Sequence, residues 1–469
     1  MRARLALLTA TAALLSGCIS LAPAYHRPAA PVAGVVANGY GAVSAAPRLQ
    51  PWHVFFGDPR LVAVIREGLA DNRDLPAAVA NVEIARAGWL SQRSQLFPSL
   101  NAQAGATFAR IPSGSGGVGG SASRGAFNEH VFTAELAVPS YELDLFGRLR
   151  NLSRAAQEQY FASVEARDAA QISLVGGLAQ AWLTVGADRS LVAVATATLD
   201  ETSASLALTT AKFDHGEAAQ SDVDQARALA AQAKYDVGLY QVQLARDRDA
   251  LDLLAGTRIA ADLLPAGIDD EAKVLGVLPT GVSSAVLLQR PDVVQAEDQL
   301  KAANADIGAA RAAFFPQISL TGAGGFTSAA LSTLFTAGAG TWSFAPQIIA
   351  PIFDAGRNRA GLLQAKGQRD LATANYQKAI QTSFREVADA LAQRSRIDAQ
   401  LSAQETVVAS DTDAVRLIQA QYRDGAASYL NVLVAEGSLY AAQQTLASTR
   451  LLKATNLVAL YQALGGGLS

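Results

Sequence analysis

Arg290 to Gly325 reads RPDVVQAEDQLKAANADIGAARAAFFPQISLTGAGG, and its two halves follow different rules. Leu300, Ala303, Ile307, Ala310 and Phe314 recur three or four residues apart, the apolar stripe of a helix that stops just before Pro316. Beyond that proline the texture changes: from Phe314 to Phe353, forty residues, there is no charged side chain. Pro316, Pro346, Pro351 and interspersed glycines argue against a spanning helix, whereas two strands of roughly ten residues in a membrane barrel fit. A lone hairpin in lipid would leave backbone groups unsatisfied at several kcal/mol each, so it must close with other strands.

The same unit occurs twice. Asn72-Arg73-Asp74-Leu75 followed by Gln95-Leu96-Phe97-Pro98 aligns with Arg290-Pro291-Asp292-Val293 followed by Phe314-Phe315-Pro316, at an offset of 218. Leu145-Phe146-Gly147-Arg148 matches Asp354-Ala355-Gly356-Arg357, and Phe213-Asp214-His215-Gly216 matches Tyr422-Arg423-Asp424-Gly425, both at an offset of 209. Each copy reads helix, strand, loop, strand, long helix, helix. The first copy places strands near Ser99 to Arg110 and Phe127 to Leu143, joined by a glycine-rich loop suited to a barrel surface. The second places them near Gln317 to Thr327 and Thr341 to Phe353. Four strands are too few to enclose a lumen, since about eight close even a filled barrel, so the chain must oligomerise.

Each second strand ends at a Gly-Arg pair, after which no proline interrupts Arg148 to Asp214 or Arg357 to Asp424. A helix of that length runs on the order of 100 Å, more than a globular core is thick. Ile172, Val175, Ala179 and Trp182, and Ile380, Phe384, Val387 and Leu391, step by three and four in coiled-coil fashion. Turns at Gly216 and Gly425 lead into return helices near Ser221 to Leu254 and Ser428 to Leu464. The fold class is therefore mainly α, with long coiled-coil helical hairpins and four strands contributed to a membrane β-barrel.

The chain opens with Arg2, Arg4 and an apolar run to Leu15-Ser16-Gly17-Cys18, which reads as a signal peptide over 1–17 ending in a lipobox. Cys18, the only cysteine, would carry a covalent lipid. The stretch 18–54 is a Pro/Ala/Gly-rich extended arm. The first repeat occupies 55–254, an equatorial connector 255–278, the second repeat 279–464, and a short glycine-rich tail 465–469, expected to be disordered.

Four histidines, His26, His53, His130 and His215, lack metal-ligand spacing. No GxxxxGK[ST] loop is present, and no basic stripe with aromatics points to nucleic acid. Neither a metal nor a cofactor other than the lipid is expected, and enzyme activity is disfavoured.

The RPDVVQAEDQLKAANADIGAARAAFFPQISLTG run resembles the signature segment of the outer membrane factor family, the TolC-like exit ducts, and most closely its NodT-type lipoprotein efflux branch. The resemblance spans nearly all of the mature chain. It implies a homotrimer with one twelve-stranded barrel in the outer membrane of a Gram-negative bacterium, a helical tunnel across the periplasm, and a periplasmic adaptor and inner-membrane pump as partners. A resistance-nodulation-division pump exporting small toxic compounds is favoured; a type I protein secretion duct is the alternative. A periplasm-spanning scaffold and a periplasmic enzyme are the readings from other classes. The resemblance also assigns a gate to the hairpin tips. Asp222, in Ser221-Asp222-Val223-Asp224-Gln225-Ala226-Arg227, is either a member of a tip bond network or a helix N-terminal carboxylate. Tyr422 matches a tyrosine that bonds across to the neighbouring hairpin. Asn431 and Val434 stand where TolC-like constrictions carry aspartates, and Leu430 matches an apolar constriction residue. Leu430, Asn431 and Val434 then form a more apolar gate, or Leu430, Leu433 and Val434 merely pack the coiled coil.

Overall fold

A computed structural model describes residues 20–32, 50–112, 126–268 and 284–467. In chain order the elements are α1 (Trp52–Phe55), α2 (Pro59–Asp71), α3 (Asp74–Ser94), β1 (Asn101–Ile111), β2 (Phe127–Leu143), α4 (Arg148–Asp214), α5 (Gln220–Ala255), α6 (Pro291–Ala312), β3 (Gln317–Ser328), β4 (Gly340–Ile349), α7 (Arg357–Arg423) and α8 (Tyr429–Ala463). The duplication holds at the level of single residues: α4 and α7 each have 67 residues, and both start one residue after a glycine with positive φ, Gly147 at 76° and Gly356 at 88°. The chain divides into two compact units, one of 1–28, 83–162 and 297–375 and the other of 29–82, 163–296 and 376–469.

The first unit holds one antiparallel sheet in the order β1-β2-β3-β4. Its register sorts side chains by chemistry. Phe108, Phe132, Leu136, Phe326, Trp342, Phe344 and Ile348 fall on one face, and Gln103, Thr107, Thr133, Glu135, Thr327, Thr341 and Ser343 on the other. Trp342 is 81% exposed and Phe344 62%, so these apolar side chains are uncovered among the described residues. That alternation is the dyad signature of a wall between lipid and a polar interior. The register shifts between Val138 and Tyr141, where Pro139 lacks the N–H a regular ladder requires. β4 ends at Ile349 rather than at the expected Phe353, just before Pro351.

In the same unit the start of the extended arm, Ser20 to Arg27, is pinned by side chains. Arg27 forms a two-pronged pair with Glu297 at 2.8 Å per contact, and the Tyr25 hydroxyl donates to the same carboxylate. Asn304 donates to the Pro23 carbonyl, Arg311 to that of Leu21, and the Ser20 hydroxyl to Asn151. A Cβ at Gly308 would lie 2.7 Å from the Ala22 nitrogen, so only glycine lets the arm pass. This docking changes the expected stripe on α6. Leu300 and Ile307 are buried, but Ala303 and Ala310 are only half-buried and Phe314 is exposed, while Ala302, Ala305, Ala309, Glu297, Asp298 and Asn304 are buried.

The second unit contains the main core. Val175, Ala179 and Trp182 of α4 and Val387 and Leu391 of α7 share it with α2, α5 and α8. Phe55, in the short helix α1, stacks on Tyr461 at 4.2 Å. The described part of the connector packs here: Ile259, Leu264 and Ile268 are buried, and the Trp182 indole donates to the Leu263 carbonyl at 2.8 Å. Contrary to the expected disorder, Gly467 of the tail donates to the Tyr461 hydroxyl at 2.6 Å, and that hydroxyl donates to the Gln50 carbonyl.

Candidate functional site

The candidate site is the pair of hairpin tips, both in the second unit. α4 and α7 end alike. Gly216 (φ 77°) donates to the Phe213 carbonyl while Glu217 donates to that of Lys212; Gly425 (φ 74°) donates to Tyr422 while Ala426 donates to Gln421. This double closure satisfies the last helical carbonyls and requires the left-handed conformation that glycine adopts without cost.

Where α4, α5, α7 and α8 meet, Ala226, Tyr422, Tyr429 and Val432 form a small buried core, flanked by Leu206, Ile418, Ala427 and Leu433. Tyr422 is 7% exposed, and its hydroxyl lies 3.2 Å from the Thr209 hydroxyl on α4. Thr209 belongs to the other helical hairpin of the same chain. Lys212 completes the contact: its ammonium donates to the Tyr422 carbonyl at 2.7 Å and lies 4.4 Å from the centre of the Tyr422 ring. A cation there complements the negative end of the α7 dipole and the ring face together.

Asp222 accepts from the Ala219 backbone N–H at 3.3 Å, which makes it the N-terminal carboxylate of its own helix within the chain. Leu430 (56% exposed), Asn431 and Val434 (61%) form one outward face of α8, while Tyr429, Val432, Ala435, Glu436 and Leu439 face inward. Leu430 and Val434 therefore do not pack the coiled coil of their own protomer; Leu433, half-buried, does. Cys18 lies outside the described residues.

Sequence reasoning missed Thr209, Lys212 and Glu436. Lys212 carried a weak signal as a basic residue in the last turn of α4. Glu436 is buried and accepts from Gln419 at 2.9 Å, with its second oxygen unpartnered among the described residues. Burial pushes its carboxyl above the usual range, the Gln419 bond draws it down, and the nearby Glu201 adds to the rise. Among the described residues no group of three or more His, Cys, Asp or Glu is placed to hold a metal ion.

The sequence matches the family model described as outer membrane efflux protein over residues 64–257 and 282–466. It is 43% identical over 462 residues to the solvent efflux pump outer membrane protein SrpC of Pseudomonas putida, covering 97% of each chain. It is 39% identical over 458 residues to the cation efflux system protein CusC of Escherichia coli, again covering 97% of each. Among solved structures, the open state of the Neisseria gonorrhoeae MtrE outer membrane channel superposes with a TM-score of 0.84 at 36% identity, over 96% of this chain and 99% of that one.

Proposed function

This chain belongs to the outer membrane efflux protein family, and from that premise we propose that it is the exit duct of a tripartite system, working with a periplasmic adaptor and an inner-membrane pump of resistance-nodulation-division type. It is a transport duct and not an enzyme. The carrying observation is the two-faced sheet, apolar outside and polar inside, whose outer strands β1 and β4 each have one neighbour among the described residues. Exposed sheet edges are not tolerated in lipid, so the wall closes against further copies, and a homotrimer gives twelve strands.

The relatives' names refer to solvents and cations, which favours small toxic compounds as cargo. Cys18 carries a covalent lipid that anchors the arm in the outer membrane of a Gram-negative cell. At the periplasmic end, Leu430, Val434 and Asn431 form the apolar constriction, while Tyr422 and Asp222 hold the tips in register. Deleting the gene raises accumulation of a fluorescent efflux substrate, and the intact gene restores it; a Cys18→Ala version measures the need for the lipid. Unchanged accumulation in a strain without a second duct refutes the efflux reading. For the gate, Leu430→Asp and Val434→Asp increase ion conductance in planar bilayers, and unaltered conductance sinks that assignment.

A further inference from the structure

The polar face of the sheet is charged on one strand and with one sign. Glu129, Glu135 and Glu142 of β2 stand on it, opposite Ala109, Gln103 and Ser319 respectively. Arg110, the one arginine or lysine in the four strands, lies opposite Asn128 on the apolar face.

The three carboxylates are differently served. Arg148 donates to both oxygens of Glu142, from Nε at 2.8 Å and from Nη2 at 2.5 Å, and so neutralises it. Glu135 accepts from the Gln103 amide, a neutral donor across the β1 ladder, and has no cationic partner among the described residues. Its other flank is bare. A Cβ at Gly325, opposite it on β3, would lie 2.7 Å from the Glu135 Cβ, so that position stays glycine and sends no side chain over the carboxylate. Glu129 is exposed, with no hydrogen bond or ion pair among the described residues. Each chain therefore brings two uncompensated negative charges to the polar face.

We infer that Glu135, seconded by Glu129, makes the barrel passage selective for cationic over anionic cargo. The inference rests on the homotrimeric duct reading, in which the polar face lines the passage. Twelve strands about 4.8 Å apart and tilted by about 40° close at a radius of about 12 Å. The screening length is about 10 Å at 0.1 M salt and about 30 Å at 0.01 M, so the field of the wall charges reaches the axis. Low-dielectric walls concentrate that field in the water between them, raising the local concentration of cations and lowering that of anions. The carboxylates act through this field and hold no bound ion.

The test is the reversal potential of the full-length protein in planar bilayers under a tenfold KCl gradient. It is read in a Leu430→Ser, Val434→Ser background, which widens the proposed constriction without adding charge. Between about 0.01 and 0.1 M KCl, potassium is expected to permeate about threefold better than chloride, and near 1 M the preference fades as screening shortens. Glu135→Gln, which keeps the side-chain shape, lowers the ratio about twofold at unchanged unitary conductance, whereas Glu135→Asp retains it. Anion preference, an equal ratio in Glu135→Gln, or equal loss in Glu135→Asp and Glu135→Gln overturns the inference while leaving the duct intact. Absence of any conductance overturns the duct reading itself, and the inference with it.

Discussion

The two hairpin tips share a backbone and differ in side chains. Gly216 and Gly425 have the same conformation, and α5 and α8 each start four residues after their glycine. Yet at the offset of 209, Tyr422 faces Thr209 and is buried, whereas its counterpart Phe213 is 39% exposed. Buried Glu436 corresponds to exposed Arg227. Further up the helices, buried Asp188 corresponds to buried Ile397, and Trp182 to Leu391. Duplication preserved what the chain needs to turn back on itself; the side chains diverged once the copies packed against each other rather than against themselves.

The comparison breaks most severely in the shared core. Trp182→Ala is expected to cost about 3–5 kcal/mol and Leu391→Ala about 2–5, since both leave cavities in one cluster; denaturant unfolding gives the values, and a loss confined to one copy would mean that the copies unfold separately.

Next is Asp188, whose second oxygen is unpartnered among the described residues. Burial, and then the facing Asp247, push its carboxyl up to about 7. With the folded pKa above the unfolded one, stability falls as pH rises from the ordinary aspartate range through about 7. Asp188→Ile, adopting the residue of the second copy, is expected to add about 1–3 kcal/mol at neutral pH by relieving an unserved acceptor. Melting temperature against pH should flatten in the variant; an unchanged slope would assign the pH dependence elsewhere.

Gly216→Ala and Gly425→Ala test what the copies share. Nothing lies within 4 Å of a Cβ added at either site, so each pays only the left-handed backbone cost of about 1–2 kcal/mol. Unequal losses would show that one turn is supported by more than its own geometry.

The smallest effect is the most asymmetric. Tyr422→Phe removes the bond to Thr209 and is expected to cost about 0.5–1.5 kcal/mol, while Phe213→Leu stays within about 0.5 kcal/mol, as exposed positions do. Hydrogen exchange at the α7 terminus should rise only in the first variant.

The strand β2 and the helix α4 coincide with the bounds expected from the sequence, and the remaining long elements lie within a few residues of theirs. Proline, glycine and side-chain period act on the backbone beside them, which is why those boundaries were legible. The gate candidates were legible only as a segment: residues 429–436 could be located, but periodicity alone left both faces apolar enough to be the buried one. The packing of Tyr429 and Val432 against Tyr422 decides that Leu430 and Val434 face outward. Lys212 and Thr209 could not be found from their neighbours, because their partner is more than 200 residues away.

By itself the sequence determined the duplication, the turns, the uncharged second hairpin and the order of strands and helices, since each rests on local conformational preference or on repeated pattern. Only the tertiary structure decided that the arm locks onto Glu297, that β2 bulges at Pro139 so that its apolar side chains stay on one face, and that an asparagine and an aspartate are buried with oxygens unserved among the described residues. Those outcomes depend on which distant surfaces meet, and burial and pairing are properties of the meeting rather than of either surface alone.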